Sequence, residues 1–316
     1  MSARHAQAWP HSPRIARSIV EFPQVAFIIP VFNRLDLTRD FVARLPATLP
    51  AGLAWEAIIV DDASTDGTAA FLATLAPPFR VLRQENNGGF ARAANSGAAA
   101  VSPGATVLGL LNNDLLLAPG WLEPMLRLLT TAPQAGAVGN VQVNPATGLV
   151  DHAGVFFDLE GLPTHAHKHR ARPPRGPWRE RNAATAACLL MRRELWDKLG
   201  GLHEGYRNGM EDIDLCVRLR REGWRIFVSH ESVVGHLVSS SPGRHDANDT
   251  NTVLFRQRCA ATAARWGREE WAHEYFRRYA RRWWRIDPAK AWLALRLVLG
   301  FPLPRRFRPR AENPVA

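Results

Sequence analysis

Acidic residues stand at three points along the chain where their type and spacing could do chemistry. Asp61-Asp62 close the run EAIIVDD, and Asn112-Asn113-Asp114 close TVLGLLNND. Glu211-Asp212 open the stretch EDIDLCVRLRREGWRIFVSHESVVGH, which ends on Gly235-His236. One acid at a strand end is ordinarily a turn former or a helix cap. Two such strand ends and an acid pair, on a chain of net charge +11, point to a hard divalent cation, which takes oxygen ligands and bridges substrate phosphates. A phosphate-binding P-loop is absent and no GxGxxG follows the first strand, which argues against triphosphate hydrolysis and dinucleotide binding. His165, His167 and His169 alternate and share a face if the segment is extended, which suits a solvated or acceptor-facing loop. Plainer readings stand beside these: helix-start acids for Glu211-Asp212, a structural histidine for His236, a turn before Ser64 and Gly67 for Asp62.

Such side chains act together only if the elements carrying them converge. VAFIIPV, EAIIVDD, RVLRQ, TVLGLLNND and GAVGNVQV are short apolar runs of the kind buried parallel strands use. Between them lie Leu35 to Leu45, GTAAFLATL, GFARAANSGAAA and PGWLEPMLRLL, which read as helices. This alternation predicts an α/β fold with a mostly parallel, doubly wound sheet, whose ligands bind at the carboxyl ends of the strands, where these acids fall. From Leu149 the rhythm breaks: VDHAGVFFD and Thr164 to Arg170 read as irregular or antiparallel. AACLLMRRELWDKLGG returns to strand then helix, VSSSPGRHDAND reads as a polar loop, and Asn251 to Trp266 and Glu269 to Trp284 read as helices. Trp121, Trp196 and Trp224 are expected in the core.

Among 316 residues, 46% are hydrophobic, enough for one large α/β domain or two ordinary ones. Cys188, Cys216 and Cys259 are scattered, which argues against a disulfide framework or a zinc site and suits a reducing compartment. Met1 to Gln24 shows no apolar signal segment, and no run reaches the roughly 18 apolar residues of a membrane span. Tyr275 to Arg310 holds eleven Lys/Arg and one acid, Asp287, so this segment carries +10 of the +11. Its arginines are mixed with tryptophan and leucine, which suits an anionic membrane surface. No nucleic-acid module accompanies it, so nucleic acid is not the expected partner, and a solvated helix packing its tryptophans on the main domain is the plain alternative.

IIPVFNR, IIVDDASTDGT, ENNGGFARAANSG, LLNNDLLLAPGWL and MEDIDLCVRLRREGWRIF, in this order, resemble a family 2 inverting glycosyltransferase of the GT-A (nucleotide-diphospho-sugar transferase) fold, most of all the bacterial rhamnosyltransferase-like members. The resemblance covers Gln24 to His236. It implies a leader over 1–23, a catalytic domain over 24–250 and a basic helical C-terminal extension over 251–316. The catalytic domain would divide into a nucleotide-binding half, 24–148, and an acceptor half, 149–250. Pro30, Val31, Phe32 and Asn33 correspond to the first nucleotide-facing loop. Asp62, with Asp61 beside it, corresponds to the acid that reads the base. Asn87, Gly88, Arg92 and Asn95 fall in the helix start near ribose and phosphate. Asp114 corresponds to the metal-binding aspartate, and Asn113 stands where the family has an acid. Asp212 takes the general-base role, with Glu211 as its neighbour, and His236 corresponds to a histidine that completes the metal site. The resemblance thus implies manganese or magnesium as cofactor, a nucleotide-diphospho-sugar donor, a glycan or lipid-linked acceptor, and a place in the cytoplasm, peripheral on the inner face of the cell membrane. The rival readings are a catalytically silent scaffold of the same fold that binds a membrane or protein partner, and a nucleotidyltransferase, whose glycine-rich basic first loop IIPVFNRLD lacks.

Overall fold

The computed structural model describes residues 22–237, 248–279, 283–302 and 304. Most of the expected leader, residues 238–247 of the polar loop and residues 305–316 of the basic tail lie outside the described residues. The described chain begins β1 (Val25–Val31), α1 (Leu35–Thr48), β2 (Trp55–Asp61), α2 (Thr68–Leu72), β3 (Phe79–Arg83), α3 (Phe90–Ala99), β4 (Val107–Leu111), β5 (Leu115–Leu116), α4 (Glu123–Thr131) and β6 (Ala135–Val143). There follow β7 (Val150–His152), β8 (Val155–Phe157), β9 (Pro163–His165), β10 (Trp178–Arg181), β11 (Cys188–Arg192), α5 (Arg193–Leu199), α6 (Glu211–Arg221) and β12 (Arg225–His236). Three helices end the described chain: α7 (Asn248–Arg258), α8 (Ala260–Tyr279) and α9 (Pro288–Val298).

The main sheet has the order β10-β12-β6-β11-β4-β1-β2-β3, with β5 on β12 and β7 on β6. β1 to β4 pair in parallel as the alternation predicts, while β11 inserts antiparallel between β4 and β6. Both faces are covered. On one, Ile28 and Val60 meet the small residues Ala91, Ala94 and Ala98 of α3. A Cβ at Gly97 would lie 2.7 Å from Ile28 Cγ2, so a glycine lets this helix sit flat on the strands. On the other, Phe27 and Ile59 meet Phe41 and Leu45 of α1 and Leu126 of α4. Trp121 and Trp196 are buried, and Trp224 packs against the core from its edge.

The C-terminal helices are docked on this body. Phe255, Cys259 and Ala263 belong to the core cluster that holds Leu108 and Val228. The break between α7 and α8 falls at Cys259, and α8 runs through Gly267, where two separate helices were expected. A Cβ at Gly267 would stand 2.5 Å from the Phe157 carbonyl oxygen, so the glycine marks a close approach of α8 to β8. The fully buried Arg181 guanidinium pairs with Glu270 of α8 and reaches Glu274 at 3.7 Å.

Asp214 ties α6 to α7 and α8. Its buried carboxylate meets Arg218 Nε at 2.6 Å and Arg258 Nε at 2.8 Å, and accepts from the Tyr206 hydroxyl at 3.2 Å and the Cys259 thiol at 3.3 Å. Burial pushes its pKa up, but hydrogen bonds and charge from Arg258 and Arg218 outweigh this and hold it below 3.8. Asp214→Ala leaves two guanidiniums without their carboxylate and should cost about 3–5 kcal/mol, read as a fall in the guanidinium-chloride midpoint. A carboxyl held low in the folded state stabilises above the unfolded carboxyl range, near pH 4, and the contribution fades as pH falls through the native value. The gap between wild type and Asp214→Asn should therefore be constant near neutrality and shrink only in acid.

Candidate active site

The carboxyl ends of β1 and β2 form one corner of the site. After β1 the chain turns through Asn33 and Arg34 at φ 55° and 59°. The Asn33 N–H donates to Ser64 Oγ at 2.8 Å, and its side-chain oxygen accepts from the Thr65 N–H at 2.7 Å. Phe32, Asn33, Arg34, Thr65 and Asp66 line a surface cleft there, and Phe32 is 40% exposed. Asp61 is committed to this corner's structure: it accepts from the Ser64 N–H at 2.8 Å and pairs with Arg83. Asp62 accepts from the Gly88 and Gly89 N–H groups at 2.7 and 2.8 Å, which pins the loop before α3 to the end of β2. Burial pushes the Asp62 carboxyl above its ordinary range, against the two amides and Arg207, which pull it down.

Asp114 and His236 come together through β5. This two-residue strand follows Asp114 at once and pairs antiparallel with the end of β12, setting Leu115 opposite His236 and Leu116 opposite Gly235. The Leu237 N–H donates to the Asp114 carbonyl at 3.1 Å. His236 Nε2 then faces Asp114 Oδ1 at 3.2 Å, both side chains buried. Behind the ring, Nδ1 lies 2.9 Å from Gln142 Oε1, and the Gln142 amide donates to Thr185 Oγ1 at 3.2 Å. Gln142 Oε1 is thus set to accept from Nδ1, and Nε2 is the ring nitrogen turned to the carboxylate. A proton or a metal ion between Nε2 and the carboxylate oxygen makes this contact favourable. Cis ligands bonded at about 2.1 Å in an octahedral ion lie roughly 3 Å apart, so the pair fits a divalent metal, and the imidazole suits manganese better than magnesium. Among the described residues no group of three His, Cys, Asp or Glu side chains assembles a complete site, which leaves the other positions to water and ligand oxygens.

Asp212 stands in the first turn of α6, partly exposed. Its Oδ2 accepts from the Ala186 N–H at 2.9 Å and its Oδ1 from the Ile213 N–H at 2.8 Å. Glu211 instead turns inward, buried, and accepts from the Gly209 N–H at 2.6 Å. Of the acid pair, Asp212 is thus the more exposed member. The segment that fixes it also fixes the metal candidates: Thr185 holds Gln142, Ala186 holds Asp212, and the Ala187 carbonyl accepts from the Asn112 N–H at 2.9 Å.

The remaining expected residues divide. Asn87 and Gly88 gather round Asp62, where the Arg207 guanidinium donates to Asn87 Oδ1 at 2.8 Å. Arg92 is exposed on α3 beside Gly88. Asn95 faces elsewhere, exchanging hydrogen bonds with the Leu202 backbone at 2.9 Å. Asn113 donates to Thr38 Oγ1 at 2.8 Å and fastens its loop to α1. Of the alternating histidines only His165 lies in a strand; His167 and His169 have φ 62° and 63°, so the three do not form one extended face. His165 Nδ1 meets Nδ1 of the buried His152 at 2.9 Å. Sequence reasoning missed Gln142, Thr185 and Arg207. A glutamine inside β6, a strand buried along its whole length, was the available signal for the first.

The model of glycosyl transferase family 2 matches residues 26–200. The O-antigen biosynthesis protein RfbC of Myxococcus xanthus is 30% identical over 76% of this chain and 19% of its own length. An N-acetylglucosaminyl-diphospho-decaprenol L-rhamnosyltransferase of Mycobacterium tuberculosis is 28% identical over 63% of this chain and 73% of its own. The chain spans only 28% and 19% of two of the curated relatives it matches. Among solved structures, a mannosyltransferase of Pyrobaculum calidifontis in complex with GDP-Man and Mn2+ superposes with a TM-score of 0.54 at 18% identity, over 93% of this chain and 84% of that one.

If the pair holds a metal, Mn2+ binding in the presence of a nucleoside diphosphate, read by calorimetry, should be lost in His236→Ala. In Gln142→Ala, which frees the ring without touching the ligand, it should weaken by about tenfold or more.

Proposed function

The chain belongs to glycosyl transferase family 2 and has the GT-A fold, and from that premise we propose that it moves a sugar from a nucleoside-diphosphate donor to a hydroxyl of a glycan or lipid-linked acceptor, with inversion, in the building of cell-surface polysaccharide. The observation that carries this reading is the convergence of Asp212, the Asp114–His236 pair and Asn112 on the single segment Thr185–Ala187.

Inversion in one displacement needs a base on the face of the sugar opposite the leaving group. The acceptor oxygen forms a bond to the anomeric carbon as the bond from that carbon to the diphosphate oxygen breaks. Asp212 takes the acceptor proton. Two backbone N–H groups fix its direction and the N-terminus of α6 favours its charge, while its partial exposure leaves it reachable. Asp114 and His236 would hold the divalent ion, whose chemistry is to offset the negative charge that develops on the departing diphosphate. The cleft between the β1 and β2 ends, with Asp62, Asn87 and Gly88 beside it, would take the nucleoside. Arg207, held by Asn87 at the edge of that loop, adds a positive charge on the phosphate side.

The rhamnosyltransferase name of one relative makes rhamnose the first sugar to test, and its decaprenol-linked acceptor makes a lipid-linked glycan the first acceptor. Such an acceptor would place the reaction at the inner face of the cell membrane. No helix among the described residues is long and apolar enough to cross a membrane.

Calorimetry with UDP, dTDP and GDP, with and without Mn2+, tests the donor site: one nucleotide should bind in a metal-dependent way, and Asp114→Ala should abolish this. Binding of none by folded protein would overturn the reading. With the donor in hand, Asp212→Asn should lower kcat by at least about a hundredfold while leaving donor affinity within a few-fold, which is the mark of a lost base.

A further inference from the structure

α9 presents apolar side chains on two sides. Asp287 caps it, accepting from the Ala289 and Lys290 N–H groups at 2.9 and 3.2 Å. The Tyr275 hydroxyl anchors the same residue to α8, donating to its carbonyl at 3.1 Å and accepting from its N–H at 3.0 Å. The inward face is filled: Leu293 and Ala294 share a buried cluster with Trp271 and Tyr275 of α8 and with Phe156 and Ala166 of the β8–β9 region. The outward face is bare among the described residues. Trp292, Leu295 and Leu299 recur there at helical spacing with exposures of 47, 50 and 61%, and Trp283 and Trp284, just ahead of the helix, are 73 and 65% exposed.

Packing among the described residues does not cover this side; the helix is held by its other face. Its charge setting narrows the occupant. The segment from Tyr275 to Arg310 carries eleven basic residues and one acid. The Arg296 guanidinium lies over the Trp292 ring, 4.9 Å from its centroid, so cation and ring share the outward surface. A second copy of the chain would bring another such positive field against the first, which disfavours self-association through this face. An anionic bilayer answers both properties: indole and leucine side chains enter the headgroup layer, and the guanidiniums meet lipid phosphates.

We propose that the outward face of α9, with Trp283 and Trp284, docks the protein on an anionic lipid surface. The docking stands apart from the transferase reading, but if the acceptor is lipid-linked it has a direct use. The inner face of α9 packs on α8, which in turn packs on β8 of the hairpin that ends at His165. His165 touches His152, whose register partner Gln142 holds His236. A lipid surface met by α9 therefore lies against the acceptor half of the molecule.

The test is flotation of the full chain with phosphatidylcholine vesicles and with vesicles in which roughly one-third of the lipid is phosphatidylglycerol, at about 0.1 M salt. The wild type should bind the anionic vesicles at least about tenfold more tightly than the neutral ones. Trp292→Ser/Leu295→Ser keeps every charge and changes only exposed positions. It should lose about tenfold or more of that affinity, with its thermal transition and its nucleotide binding unchanged. Failure of the wild type to float, or equal flotation of the double variant, overturns the proposal. So does a loss of self-association in the variant, seen by sedimentation velocity without any vesicle effect, which would assign the face to a second copy. Nucleotide calorimetry on the same samples reads the donor site separately, so either reading can fail alone.

Discussion

His236 Nε2 facing Asp114 Oδ1 at 3.2 Å is the contact on which the rest of the site depends. A ring nitrogen and a carboxylate oxygen sit this close and buried only with a proton or a cation shared between them. The fold holds them there by backbone means. β5 is only two residues long, yet it docks on β12 in the register that sets Leu115 beside His236. Gly235 allows the approach, since a Cβ there would stand 3.0 Å from that of Leu116. Gln142, bonded to Thr185, takes the Nδ1 side of the ring, so Nε2 is the nitrogen that faces Asp114. Backbone pairing of this kind sets the two candidate ligands side by side before an ion arrives.

How much of this could be read from sequence follows from what each feature depends on. Strand identity rests on local apolar runs, so β1 to β4 are legible in order. Asp62, Asp114 and Asp212 stand out in the sequence because their positions at element ends depend only on those elements. Gln142, Thr185 and Arg207 were not, because each matters through a partner far along the chain, and such pairing is set by sheet register and loop path. Glu211 and Asp212 show the limit most plainly. They are adjacent and chemically alike, yet after the left-handed Met210 at φ 76° one is buried against Gly209 and the other is partly exposed.

The C-terminal segment reads differently for the same reason. Its charge is visible in composition, but composition does not say what lies beneath. Gly267 looked like a boundary, and is a contact surface, because the residue it must clear, Phe157, belongs to a distant strand. Arg181 and Glu270 pair in the interior, so some of the segment's charges serve the joint between α8 and the sheet and are not available to solvent or to a partner. The net positive field arises further on, from Arg277 through the tail.

The corner that Asp62 pins and the start of α6 are physically joined. Arg207 holds Asn87, and Asn208 accepts from the Phe90 N–H at 3.0 Å, so the segment leading into α6 is clipped to the loop that Asp62 pins. Asn251 fastens the same segment from α7, exchanging hydrogen bonds with the Arg207 backbone at 2.8 and 2.9 Å. The Asn87–Gly89 loop is thus linked through Arg207, Asn208 and Met210 to the start of the helix that carries Asp212. The coupling needs no distant signal, only a hydrogen-bonded strap of a few residues with two ends. At one end of the strap Arg207 and Asn208 meet the Asn87–Phe90 loop, and at the other Asp212 rests on the Ala186 and Ile213 amides, so the two acids Asp62 and Asp212 are held through one short run of chain.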